Sequence, residues 1–207
     1  MTQLNSQIEK PSWPADYPIF ISPMLLELRD RSKWTRSDAQ EYFDWVMKSR
    51  VGRVRHLMTY TNHQELSSES LPQLASVVAH LISSSAVQAI NDSGKFTNND
   101  KNISCRVPDD AGLSIGADFG LFCAELAENT YPGQFEWEIG DGGKTNIFHG
   151  LPVFHALREK RKYLHTSPIG AGVALAWGIA SGEKGEVLLE LYDDILSKFR
   201  ISTESSQ

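Results

Sequence analysis

Cysteine is scarce in this chain: two residues, Cys105 and Cys123, in a total of 207. Two thiols cannot build a disulfide framework, and such sparing use fits a reducing compartment, so a cytoplasmic protein is expected. Positive charge is also short. Twenty Lys and Arg stand against 26 Asp and Glu, a formal net charge of −6, which argues against a general binder of nucleic acid. Long apolar runs are missing as well. The longest small-apolar stretch, Ile169 to Ala180, falls short of the ~20 residues that cross a bilayer. The first residues, MTQLNSQIEKPSWP, hold no apolar segment of the kind that makes a signal peptide.

Catalytic signatures are equally thin. The six histidines, His56, His63, His80, His149, His155 and His165, show neither HExxH nor Cys/His metal spacing, so no metal or cofactor is expected. No GxSxG elbow is present. Gly140 to Thr145, GDGGKT, invites a phosphate-loop reading, but Glu138 stands where the motif needs its first glycine, and an extended pattern follows Lys144-Thr145. Gly170-Ala171-Gly172 opens like a dinucleotide fingerprint, but Leu175 occupies the third glycine position. Arg158 to Lys162 is the one basic cluster. Phosphate contact is one reading of it and a solvated loop the other; no direct nucleic-acid binding is expected from so acidic a chain.

What is present is a core. Apolar residues make up 41% and aromatics 10% of the chain, enough for a folded domain. Leu113 to Trp137 organises it. Ile115, Phe119, Phe122 and Leu126 recur at helical spacing. Asp109-Asp110 can cap that helix, and Pro132-Gly133 ends it. The period then becomes twofold: Phe135, Trp137 and Ile139 alternate with Glu136 and Glu138. A partner strand follows around Leu151 to Ala156, giving a hairpin at about 134–157.

Helices are expected elsewhere. Thr35 or Ser37 caps one that carries Ala39, Phe43, Val46, Met47, Val54, Leu57 and Met58 on its apolar stripe, with Gln40 completing a capping box to Ser37. Ser70-Leu71-Pro72 opens another. Residues 83–108 read mainly as loop, with disorder or a short strand as the alternatives. Ser167-Pro168 starts a helix to Ala180 on which Gly170, Ala174 and Gly178 form a bare face that a neighbour can approach closely. Leu188, Leu191, Tyr192, Ile195 and Phe199 complete an αα-hairpin. The expected fold is α+β: a mostly helical single domain over 34–200, its small antiparallel sheet packed on helices, with an extended arm at 1–33 and a flexible tail at 201–207.

Two carboxylates on the central helix, Asp118 and Glu125, lie about 20° apart around the axis but roughly 10 Å apart along it. Two ligands of one metal sit closer than that. A salt bridge or a cap for a neighbouring element is the expected role, and a pocket near Asp118 and Glu125, with His155, is the alternative for a small enzyme or ligand-binding domain. Acidic side chains elsewhere suggest a surface that steers a basic protein partner: Asp109, Asp110, Glu136, Glu138 and Asp141 near the joint, and Glu190, Asp193 and Asp194 on the last helix. No catalytic residue is assigned.

The segments WTRSDAQEYFDWVM (Trp34 to Met47), LSIGADFGLFCAELAENTYPGQFEW and GLPVFHAL (Gly150 to Leu157), with the helix from Ser167, resemble small bacterial cytosolic immunity proteins. These are the immunity partners of polymorphic toxins and type VI secretion effectors, in particular the immunity-52 group. The resemblance covers most of the chain after Trp34 and rests on apolar and aromatic scaffold motifs. It implies non-enzymatic neutralisation of a cognate toxin, often a nuclease, by direct binding. It assigns no contact residues, and homodimerisation stays open.

Overall fold

Thr35 takes extended backbone and closes a capping box with Asp38. Its Oγ1 accepts the Asp38 N–H at 3.1 Å, and Asp38 Oδ2 accepts the Thr35 N–H at 2.8 Å. Two of the orphan donors at this helix start are thereby satisfied. The cap is thus Thr35 rather than Ser37, and Gln40 bonds instead along the helix to Asp44 at 2.9 Å. In the computed structural model, residues 17–25, 30–88, 106–141, 146–157 and 165–204 are described, with side chains as far as Ser197.

Helix α1 (Arg36–Tyr60) buries Ala39, Tyr42, Val46, Val54 and Leu57, while Gly52 lies on its open side. A Cβ at Gly52 would meet nothing within 4 Å. Gly52→Ala should therefore stabilise the protein by about 0.5–1 kcal/mol, through helix propensity and a less flexible unfolded chain. Thermal unfolding should show the midpoint rising by about 2 °C; a fall would mean that α1 needs its glycine for a bend.

Helix α2 (Leu71–Ser85) carries Pro72 in its first turn and buries Leu74, Val78 and Ile82. Strand β1 (Val87–Gln88) pairs antiparallel with β2 (Arg106–Val107), Val87 opposite Val107. So the expected loop at 83–108 begins as the end of α2 and is closed by a short ladder. Its middle, including Cys105, lies outside the described residues.

Helix α3 (Asp110–Thr130) is capped by Asp109, whose Oδ1 accepts the Gly112 N–H at 2.7 Å. Ile115, Phe119, Phe122 and Leu126 are buried, as their spacing predicts, but so is every position from Ser114 to Ala124. A helix that is buried all round is a central post rather than an amphipathic wall. Helices α1, α2, α4 (Pro168–Ala180) and α5 (Val187–Glu204) all pack on it, α4 most extensively.

The α3–α4 contact brings backbone against backbone. A Cβ on Gly172 would fall 2.0 Å from the Gly116 carbonyl oxygen, and one on Gly120 would fall 1.9 Å from that of Pro168. The close face of α4 is therefore the Gly172–Ala176 side. The expected stripe of Gly170, Ala174 and Gly178 stays half-buried or exposed, because the small residues of α4 offer two bare faces and α3 takes the other. Helix α5 buries Leu188, Leu191, Tyr192 and Ile195. It continues to Glu204, into the stretch expected as tail, since neither Pro nor Gly interrupts it.

Strands β3 (Phe135–Ile139) and β4 (Pro152–Ala156) form the antiparallel hairpin, in register from Phe135 opposite Ala156 to Ile139 opposite Pro152. Phe154 stacks on Phe135 at 4.7 Å and tilts onto Trp137 at 4.9 Å, between ring centroids. On the other edge of β4 Thr166 pairs with Phe154, their backbones exchanging bonds of 2.7 and 3.0 Å. Of the expected arm, Tyr17 and Phe20 dock in the core, and Arg31–Lys33 form one 3-10 turn capped by Asp30. The architecture is α+β, mostly helical with a small antiparallel sheet. Among the described residues no helix is long and apolar enough to cross a membrane.

Candidate functional site

Asp118 is wholly buried in the middle of α3. Arg53 of α1 grips both its oxygens, Nε to Oδ1 at 2.8 Å and Nη2 to Oδ2 at 2.7 Å, and Tyr17 donates its hydroxyl to Oδ2 at 2.5 Å. The fork of a guanidinium matches a carboxylate, so this pair is geometrically specific as well as charge-neutralising. Burial pushes the Asp118 carboxyl up to about 6, with Arg53 and the Tyr17 hydroxyl pulling it back. Burial, with Asp118 beside it, also keeps the Tyr17 hydroxyl protonated far above its ordinary range. Arg53 lies 5.0 Å over the Phe20 ring as well. The whole assembly ties residues 17–20 to α1 and α3.

Glu125 belongs to a separate ion pair. Arg50 Nη1 stands 3.1 Å from its Oε1 and 2.8 Å from Glu128 Oε2, and the guanidinium lies 5.5 Å over Trp137. Burial raises the Glu125 carboxyl, with Arg50 opposing. Asp118 and Glu125 are thus held by different arginines, as the salt-bridge reading expects. The described cavities are lined by other residues: the one beside Asp110, about 280 Å³, is walled by Phe20, Tyr42, Leu113, Ala117 and Ile169. His155 is drawn elsewhere.

The acidic residues fall into two groups. Asp109 is committed to its cap and Asp110 is exposed next to it, both at the α3 N-terminus. Glu136 and Glu138 lie on β3 and Asp141 just beyond it, with Glu136 and Asp141 exposed. Glu190, Asp193 and Asp194 are exposed on α5. Thr166 donates to Asp194 Oδ2 at 3.4 Å, and Thr166 in turn pairs with Phe154 of β4. The sheet thus links the β3 and α5 carboxylates.

One constellation escapes sequence reasoning. The bridge from Thr166 to Phe154 sets His165 opposite His155, and Glu138 is the next diagonal across the hairpin. Glu138 Oε1 lies 3.0 Å from His165 Nδ1 and 3.7 Å from His155 Nδ1. His155 Nδ1 is buried without a hydrogen-bond partner. The residues come from three extended segments at no recognised spacing. Only the assumption that Glu138 and His155 share a sheet face could have hinted at them. Imidazole and carboxylate together can hold a divalent metal or form a plain ion pair. His165 and Thr166 also form one wall of a cavity of about 400 Å³, with Arg31 and Asp194 at its polar side and Ile147, Leu151 and Ala174 among the rest.

Cys123 is buried in α3, and desolvation pushes its thiol well above the ordinary range, so it is an unreactive core residue. The basic cluster 158–162 and most of the GDGGKT stretch lie outside the described residues. The chain matches no family model, no curated protein and no solved structure.

Proposed function

We propose that this chain is an immunity protein: it neutralises a cognate bacterial toxin by binding it and occluding its active site. The observation that carries the reading is a division among the carboxylates. Those inside the fold, Asp118, Glu125 and Glu128, are neutralised by arginine. Glu136 on β3 and Glu190 and Asp193 on α5 are turned to solvent instead. An acidic face on a rigid scaffold suits the basic substrate groove of a nuclease and accelerates encounter more than it deepens affinity. The resemblance of the α1, α3 and β4 segments to immunity proteins supports the same reading.

A secreted toxin encoded beside its gene is the expected partner, and co-expression with it is the test. Host growth should be restored by this chain; continued killing by the toxin in the presence of soluble, folded protein would sink the reading. Reversing charge at Glu136, Asp141 and Glu190 together should slow association by about tenfold at low salt, with a smaller change in dissociation. Stopped-flow or surface-plasmon kinetics would show it, and an association rate unchanged at low salt would remove this patch from the interface.

A further inference from the structure

We infer that Glu138, His155 and His165 form a three-ligand site for a divalent transition-metal ion, with Zn²⁺ the best match. The inference stands apart from toxin binding and survives or fails without it. One donor atom from each residue lies within 4.8 Å of the others. In a tetrahedral zinc site with bonds of about 2.0–2.1 Å, neighbouring donors stand about 3.3 Å apart. The two oxygen-to-nitrogen distances here, 3.0 and 3.7 Å, bracket that value. Closing the triangle on an ion asks only small rotamer adjustments of side chains that already converge.

The buried Nδ1 of His155 gives the second argument. It has no hydrogen-bond partner, and 3.7 Å to Glu138 exceeds hydrogen-bonding reach. A buried polar atom left in that state costs about 1–3 kcal/mol. An ion pair between Glu138 and His165 alone would leave that cost in place. An ion held by all three removes it, because the Nδ1 lone pair becomes a metal bond. The site is also well supported. Glu138 and His155 sit on paired strands, and His165 is fixed by the two backbone bonds of its neighbour Thr166, so the donor positions are set by the sheet rather than by loops. The two imidazoles are already neighbours, with ring centroids 5.1 Å apart.

The donor set decides the class of ion. Two imidazoles and one carboxylate suit zinc and its first-row neighbours; an all-oxygen shell would suit magnesium or calcium. Three protein ligands leave a fourth position, which water takes on the solvent side, where the Glu138 side chain is 44% exposed.

Isothermal titration of the tag-free full chain with ZnCl₂, after dialysis against EDTA and then metal-free buffer, tests this. One zinc per chain should bind, and zinc should raise the melting temperature of the wild type. His165→Gln and His155→Gln should each weaken binding by at least about tenfold and lose most of the melting shift. His80→Gln, at an exposed position on α2, should bind like the wild type. His165 sits at the sheet edge, so its variant remains informative if His155→Gln fails to fold; circular dichroism checks both. MgCl₂ in place of ZnCl₂ should give no saturable heat. Absence of stoichiometric zinc binding, or binding unchanged in His165→Gln, overturns the proposal.

Discussion

Arg53→Met should be among the most damaging single substitutions in the molecule, lowering stability by about 3–5 kcal/mol near pH 8. Methionine keeps the apolar stem that packs by Phe20, so the loss isolates the charge. Folding near pH 8 would then have to bury an uncompensated Asp118 charge or hold the carboxyl protonated, with the Tyr17 hydroxyl as its remaining partner. The pH dependence identifies the cause. In the wild type the folded Asp118 carboxyl titrates at about 6, above its unfolded value of about 3.9. Between those values the native state holds a proton that the unfolded chain has released, so this group's contribution is full below the unfolded value and is lost as pH rises towards 6. Removing Arg53 takes away the main opposing influence and raises the folded value further, so the window extends upward. Within it stability falls by about 1.4 kcal/mol per pH unit. Urea unfolding of wild type and variant at pH 5, 6, 7 and 8 should show a difference that grows with pH. Adding Asp118→Asn to the variant should remove most of that growth, because an amide carries no charge to strand. A difference equal at pH 5 and pH 8 would mean that Arg53 matters through packing alone.

The partnership of Asp118 and Arg53 shows where sequence reasoning stops. A carboxylate bordering the apolar stripe of α3 announces that it needs a counter-ion, since charges enter a core only when paired. Which arginine answers is invisible: Arg50, Arg53 and Arg55 all lie on α1, and the choice depends on how that helix rolls against α3. Helix existence was legible because periodic apolar residues and chain breakers carry it locally, as at Asp109 and Pro132. The α1 cap was ambiguous between Thr35 and Ser37 because two hydroxyls stand within one turn, and the side chain three residues on decides between them. The His155–His165 neighbourhood was illegible for a stronger reason. It depends on strand register on both edges of β4, and one slip of register would turn these rings to opposite faces. The small-residue face of α4 lies between these cases: the pattern announces a close approach without saying which bare side is used.

That choice of side makes the other large effect predictable. Gly172→Ala places a methyl group 2.0 Å from the Gly116 carbonyl oxygen and 2.8 Å from its carbon. Both atoms are backbone in the most buried helix of the protein, so no rotamer change can relieve the contact; α3 and α4 must separate. This is overpacking at the upper end of its usual range, about 3 kcal/mol or more, as every side chain that bridges the two helices loses contact together. Gly170→Ala is the matched control on the same helix. Its Cβ would be 3.1 Å from the Ser167 Oγ and 3.4 Å from Ser167 Cβ, so what it can disturb is the Ser167 cap on the Gly170 N–H rather than the helix contact. Any loss there should stay within about 1 kcal/mol, since alanine also improves helix propensity. Chemical denaturation of the two variants side by side measures the difference. If Gly170→Ala proved the more damaging, α4 would have to pack through the Gly170–Ala174–Gly178 stripe. The close contact with Gly116 would then not be what holds the two helices together.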